Sequence, residues 1–403
     1  MIKSQYESLG VESDKTRIKE NFFGVNENVF PYAFVNIGND PWQKNWVHTL
    51  HLDGGGSKSA THWLYYLVTG DDRFLRFDIA DAIAMGADIA AAGFVGPFVI
   101  GDVIDINGRN VDKKVIIKHA ALGLKTTLKL FGEYGIITGD KRYKIRVYCM
   151  GGETADLVDQ LTSWSVNVAI FSRMLRTGVI TGDVLAGDSI FGFSSGGQAV
   201  WEEFLNSGKM SNGSTLSDAA LLYSGYQKEY PFLRSAKNAF RGKYFVGDKP
   251  LGLGMTVGEA LISPTRQWAI VMKMVIDRLK SIGEFDKLHA IVMNTGGGLT
   301  KCAHVGNEIR YYKTILPFLP IFDLIQTETG ETQRNMLKTF NCGVGIEVIG
   351  DNRGGYLQSA LEWVSEKSGI DLFELGMTYQ SNTAGKNEVI VCSEGREYGP
   401  VWK

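Results

Sequence analysis

A chain of 403 residues exceeds what one ordinary core can bury, so two α/β domains are the natural expectation. With 44% hydrophobic and 21% charged residues it has the composition of a globular protein, and a net charge of -2 gives no basic field for nucleic acid. Any phosphate-bearing ligand must then be held by local groups. The most membrane-like stretch, 79–104, is interrupted by Asp81, Asp88 and Asp102, and the 13 uncharged residues between the last two are too few to span a bilayer. The first residues show no apolar signal segment, and the four cysteines (Cys149, Cys302, Cys342, Cys392) are dispersed without a C-x-x-C pair. Reduced thiols in a cytoplasmic protein are the simplest expectation.

In chain order, an apolar run at 46–52 reads as a strand ending at Gly54-Gly55-Gly56. Residues 77–92 read as an Ala-rich helix on which Asp81 and Asp88, seven apart, share a face. A strand at 94–106, a helix at 113–131 and a strand at 145–150 follow, the last running into a turn at Gly151-Gly152. This alternation predicts an α/β or α+β first domain ending near residue 175. Beyond it, helices are expected at 214–223, 265–281 and 356–368, and strands at 289–293, 343–349 and 388–392. Residues 225–260 lack periodicity and read as a long loop.

Four glycine clusters carry the candidate chemistry. In Asp53-Gly54-Gly55-Gly56-Ser57-Lys58, a carboxylate suits Mg²⁺, bare amides suit phosphate oxygens and a lysine suits their charge. The segment lacks the Gly-Lys-Ser/Thr ending of a P-loop. Gly151-Gly152-Glu153 adds a carboxylate that could bind metal or act as a base. Asn294-Thr295-Gly296-Gly297-Gly298 and Phe340-Asn341-Cys342-Gly343 complete the set. Each alone is as well explained by a tight turn; together they outline a Gly-lined nucleotide site. His48 and His51 point to opposite faces of a strand, which disfavours zinc and leaves His51 as a substrate contact. No hydrolase triad motif or dinucleotide fingerprint is evident.

The set resembles the aminoimidazole ribonucleotide synthetases (phosphoribosylformylglycinamidine cyclo-ligases). Their D-G-V-G-T-K turn is similar to Asp53 to Lys58, and their D-L-V-A-M-x-x-N-D helix to Asp81-Ala-Ile-Ala-Met-Gly-Ala-Asp88. G-G-E-T-A-E-M is matched at 151–157, P-G-D-x-x-x-G-L-x-S-S-G at 186–196, P-T-R-x-Y at 264–268, T-G-G-G-L at 295–299 and F-N-x-G-x-G at 340–345. The start Tyr6-Glu-Ser-Leu-Gly-Val11 resembles Y-x-x-A-G-V. The matches keep the family's order. Three departures stand out: residues 197–210 are inserted before Ser211-Asn212-Gly213, Met210 replaces a histidine, and Thr300-Lys301-Cys302 replaces E-N-x.

The resemblance implies a two-domain α/β (α+β) fold, with an N-terminal domain (1–175) forming an intersubunit β-barrel and a C-terminal α/β sandwich (176–403). It implies a homodimer without nucleic-acid or membrane partners, using ATP and Mg²⁺ to cyclise a small ribonucleotide, formylglycinamidine ribonucleotide, in purine biosynthesis. Asp53 and Asp88 would hold the metal, and Lys58, Asp88 and Glu153 would be catalytic. Gly54, Gly55, Gly56, Ser57, Lys58, Gly151, Gly152 and Glu153 would meet the nucleotide, and Asn212, Thr295, Gly296 and Asn341 the substrate. Other ATP users of the superfamily, such as thiamine-phosphate kinase, and a non-catalytic nucleotide-binding module are the competing readings.

Overall fold

The computed structural model describes residues 4–11, 25, 27–393 and 395–402. Two sheets organise the chain. The first takes β1 (Gly38–Asn39), β2 (Trp46–Gly54), β3 (Phe98–Ile106), β4 (Val147–Asp156) and β5 (Trp164–Leu175) in the order β1-β2-β5-β3-β4. Only β3 and β4 run parallel, and their crossover is the long helix α3 (Lys113–Ile137). Asp112 caps that helix by accepting from the backbone N–H groups of Lys114 and Val115.

The strand period of two sorts each strand into two faces. Ile100, Ile104, Val166, Val168 and Ile170 are buried beneath α2 (Phe77–Gly86), which is apolar on nearly every side because it is enclosed. Leu50, Leu52, Val103, Tyr148 and Met150 face the other way and are exposed. At Ala87 the α-helix tightens into a 3₁₀ turn, Ala87–Ala92. The single helix expected over 77–92 is therefore two segments of different pitch. Asp81 and Asp88 consequently go to different partners instead of sharing one face.

The second sheet contains β6 (Ser189–Ser194), β7 (Leu288–Met293), β8 (Ile309–Lys313), β9 (Val344–Gly350), β10 (Leu372–Gln380), β11 (Glu388–Ser393) and β12 (Arg396–Trp402). Their order is β12-β11-β8-β10-β6-β9-β7, with β8 and β11 the parallel pair. Every residue of β6 and β9 is buried, as central strands require. The remaining helices used below are α1 (Lys58–Thr69), α4 (Ser214–Leu221), α5 (Val257–Ile262), α6 (Trp268–Ile282) and, later in the chain, Tyr356–Ser368. Helix α6 packs on Tyr356–Ser368 and on the Ala87–Ala92 turn, so the two halves meet along it. The stretch expected to be one long loop contains a short helix, Tyr226–Glu229, and ends in α5, whose Thr256 and Glu259 form a capping box. Among the described residues no helix is long and apolar enough to cross a membrane.

Candidate active site

Strand β2 delivers His51 and Asp53 onto the face covered by α2, because they are cross-strand partners of the buried Ile170 and Val168. The chain then turns through Gly54, where a Cβ would lie 2.7 Å from the Val166 carbonyl oxygen, so glycine fits best. Asp53 Oδ1 accepts from the Gly54 N–H at 2.8 Å. Helix α1 starts directly after this turn, and its unsatisfied first N–H groups and dipole favour an anion at the Gly56–Ser57 end.

Asp88, on the 3₁₀ turn, comes back to this point: its Oδ1 is 2.7 Å from His51 Nδ1. Burial of His51 opposes its protonation, but the adjoining Asp88 and then Asp53 outweigh it and raise its pKa. The structure thus brings His51, Asp53 and Asp88 together, the two carboxylates being those that the resemblance assigns to a metal. Asp102 joins the same face through the row Asp53–Val168–Asp102–Gly152, two strand spacings (about 9–10 Å) from Asp53. Burial raises the pKa of its carboxyl. Gly152 is obligatory opposite it, since a Cβ there would fall 2.5 Å from Asp102 Oδ2. Sequence reading treated Asp102 only as a charge that breaks an apolar run. Its signal was a carboxylate on the strand face that otherwise carries the buried Phe98, Ile100, Ile104 and Ile106.

Several expectations need correction. Lys58 does not project from the glycine turn. It is fully buried, its Nζ lies 2.8 Å from the equally buried Asp81 Oδ2, and it donates to the Ser263 carbonyl. Asp81 in turn accepts from the Thr265 N–H. Lys58 therefore ties α1 to α2 and to the segment following α5. Gly151 and Gly152 sit within β4 beside a register shift, not in a turn after it. Glu153 is the cross-strand partner of Val103 and lies on the exposed face, away from Asp53 and Asp88 of its own chain. Its Oε1 accepts from the Thr154 N–H at 3.1 Å.

The later glycine clusters converge. The Phe340 ring packs against Gly213, the Phe340 carbonyl against Gly298, and Thr215 at the start of α4 meets Ser57 with their hydroxyl oxygens 3.2 Å apart. The half-buried Asn212, whose buried amide nitrogen has no partner among the described residues, and the exposed Gly296 belong to this convergence. Thr295 is buried beside Gly296, and its carbonyl accepts from the Gly298 N–H at 2.9 Å. Asn341 is fully committed elsewhere: its Oδ1 accepts from Ser195 Oγ at 2.9 Å and from the Gly343 N–H at 2.8 Å, and its Nδ2 donates to Gly208 O at 2.9 Å. Asn341 therefore knots loops together and has little left to offer a substrate. Asn341→Leu is expected to lower stability by about 1–3 kcal/mol in chemical denaturation, with KM values unchanged in the folded fraction.

Sequence reading also missed a buried polar seam. Lys209 Nζ donates to Ser214 Oγ at 2.7 Å, and burial with the neighbouring Lys58 charge lowers its pKa to about 8 despite Asp218 and Asp81. Asp218 accepts from Thr61 Oγ1 and from Ser217 Oγ. Arg266 is clamped by Glu202 at 2.8 Å and by the Ser194 carbonyl at 2.6 Å. Lys313 and Glu347 form a second fully buried pair at 2.6 Å. None of these pairings is visible as a local motif.

Among the described residues no group of three or more His, Cys, Asp or Glu side chains is placed to hold a metal ion. Two carboxylates nevertheless fit Mg²⁺, which commonly takes one or two and fills its remaining positions with water and phosphate oxygens. Asp53 and Asp88, both acting on His51 beside a helix N-terminus, are such a pair.

No family model matches the chain. It is 28% identical over 347 residues to the phosphoribosylformylglycinamidine cyclo-ligase of Methanocaldococcus jannaschii, covering 85% of this chain and 81% of that one. A relative of the same name from Methanococcus vannielii is 30% identical over 217 residues, which is 53% of this chain and about half (51%) of the relative. Among solved structures, Thermotoga maritima PurL complexed with FGAR superposes at a TM-score of 0.51 and 12% identity, over 99% of this chain and 52% of that one. The HypE–HypF complex structure matches at 0.50 and 14%, over 96% and 99%. The fold is therefore that of the aminoimidazole ribonucleotide synthetase-like proteins. Within that class the chain is similar in sequence to phosphoribosylformylglycinamidine cyclo-ligases.

Proposed function

We propose that the chain is an ATP-dependent cyclo-ligase that closes the imidazole ring of 5-aminoimidazole ribonucleotide from formylglycinamidine ribonucleotide. The observation that carries this reading is the grouping of Asp53, Asp88 and His51 beside the Gly54–Gly56 turn and the start of α1. The names of its relatives point the same way. In this chemistry the substrate's formyl oxygen attacks the γ-phosphorus and ADP leaves. The amidine nitrogen then displaces phosphate from the activated carbon and closes the ring. Such a transfer depends on charge stabilisation and alignment more than on a protein nucleophile.

Asp53 and Asp88 would hold Mg²⁺, which when bound neutralises charge on the transferring phosphoryl group. His51 holds Asp88 in place through the 2.7 Å contact, and the N–H groups opening α1 receive phosphate oxygens. Lys58 acts at one remove, fixing α1 against Asp81. Residues 1–175 and 176–403 serve as the nucleotide-binding and the C-terminal domain. A competing reading, an ATP-using activity on another substrate such as thiamine phosphate, draws on Met210. Where the relatives' motif has histidine, this residue is buried with a left-handed backbone (φ 61°). Incubation with ATP and formylglycinamidine ribonucleotide separates the two readings. With formyl-¹⁸O substrate, label should appear in the released phosphate; ATP turnover only with another acceptor would refute the cyclo-ligase reading.

The exposed apolar face of the first sheet is proposed to close a β-barrel with a second copy, which would also place Glu153 at that interface. Leu50 is 58% and Leu52 65% exposed, a large apolar exposure for adjacent positions of a strand face. Leu50→Lys/Leu52→Lys should convert dimer to monomer in sedimentation at micromolar concentration. A wild-type chain that is monomeric there would overturn the proposal.

A further inference from the structure

One of the departures from the cyclo-ligase motifs, Thr300-Lys301-Cys302, ends in the core. It lies in the 3₁₀ segment Gly298–His304, directly after the Thr295-Gly296-Gly297 turn. Cys302 is fully buried, and so is Lys313 at the end of β8. The two side chains meet at one oxygen: Lys313 Nζ donates to the Leu299 carbonyl at 2.7 Å, and Cys302 Sγ donates to the same carbonyl at 3.7 Å. Sulfur and nitrogen are also hydrogen-bonded to each other. Burial opposes the Lys313 charge, but Cys302 and then Glu347 outweigh it and raise its pKa.

A neighbouring ammonium favours the thiolate, the form that oxidants attack, and a purely apolar core disfavours it. Cys342 supplies the contrast within the same chain. It is as deeply buried, but burial and then Asp323 push its pKa up, so it stays a thiol. Lys313 has a further tie to Glu347 at 2.6 Å, and Glu347 Oε1 also accepts from Asn294 Nδ2 at 2.8 Å. Lys313 therefore stands between Cys302 and the residue that opens the Asn294–Gly298 turn.

We infer that Cys302 and Lys313 form an oxidative modification site, at which hydrogen peroxide links Sγ to Nζ as a sulfenamide. The sulfur gives two electrons to the peroxide, whose O–O bond breaks; one oxygen leaves as water and the other forms Cys302 sulfenic acid. The Lys313 nitrogen, giving up a proton, then attacks that sulfur. The S–N bond forms, the S–O bond breaks, and a second water leaves with one more N–H proton. The product nitrogen is neutral, so the buried Glu347 carboxylate loses its counter-charge and the fold loosens next to Asn294. The site stands whichever reaction the carboxylates perform.

Peptide mapping of the full chain after hydrogen peroxide, quenched with catalase and digested with trypsin without reductant, tests it. Cys302 and Lys313 are expected in one linked species, lighter by two hydrogens than the sum of its parts, with no cleavage after Lys313. Dithiothreitol should separate it into the unmodified peptides. The Tm of the oxidised chain should fall by several degrees, and Cys302→Ala should lose both the link and this fall. Exposure to peroxide in urea, where the fold no longer holds the pair together, should give oxygenated Cys302 without the link. No link in the folded chain under peroxide that fully oxidises the exposed Cys149 overturns the inference. So does Cys302 that gains only oxygen while Lys313 is still cleaved, or a link that forms as readily in urea. If Cys302→Ala does not fold, the comparison of folded and urea-treated wild type decides.

Discussion

Replacing Lys58 by Met is expected to destabilise the chain by about 3–5 kcal/mol, because it strands the Asp81 carboxylate in the interior. Both side chains are wholly inaccessible and 2.8 Å apart. Once the ammonium is gone, the Thr265 N–H still donates to Asp81 Oδ1, and among the described residues Oδ2 is left without a partner. The double variant Lys58→Met/Asp81→Asn should recover most of the loss, since the amide oxygen still accepts from Thr265 and neither position leaves an unpaired charge behind. Urea denaturation of the two variants beside the wild type measures this. Because the ammonium is spent on Asp81 and Ser263, KM for ATP in the folded single variant should change less than threefold. A normal unfolding midpoint with KM for ATP raised tenfold or more would show instead that Lys58 leaves Asp81 for the triphosphate.

That prediction reverses the role the glycine motif suggests for Lys58, and the reversal marks how far local pattern reaches. Periodicity placed the helix at Tyr356–Ser368 and the strands at 289–293 and 388–392 within a residue of their ends, because their apolar spacing is set locally. It also led to the Asp53 turn, which is defined by backbone that must pass close to Asn167. It stopped wherever a partner is distant in sequence. Lys58 meets Asp81, Arg266 meets Glu202 and Lys313 meets Glu347 only after the helices and sheets are assembled. The glycine pair at 151–152 misled for a related reason. Glycine often marks a turn, but here Gly152 permits a strand to pass the Asp102 carboxylate. Glu153 then fell on the other face, since one residue along a strand reverses the side chain. The change at 300–302 was legible as a departure, but not the meeting of Cys302 with Lys313.

Asp88→Asn is expected to reduce ATP turnover by roughly a hundredfold or more, the several kcal/mol that a metal ion contributes to stabilising charge on a transferring phosphoryl group. Asp88 is the more exposing choice of the two proposed ligands. Asp53 has its Oδ1 occupied by the Gly54 amide, whereas Asp88 pairs, among the described residues, with the side chain of His51 at 2.7 Å. The amide of Asn can still meet an imidazole nitrogen, so the fold should survive with Tm lowered by a few degrees at most. The magnesium dependence carries the distinction. If Asp88 is a ligand, half-maximal activity should require at least tenfold more Mg²⁺, and part of the lost rate should return at saturating metal. If Asp88 serves only to fix His51, the Mg²⁺ requirement stays at its wild-type value while the rate falls. His51→Asn separates the two roles further: it removes the imidazole but leaves both carboxylates. It should therefore weaken turnover less than Asp88→Asn and leave the metal requirement within about threefold of wild type, the scale of a residue acting through a ligand instead of as one.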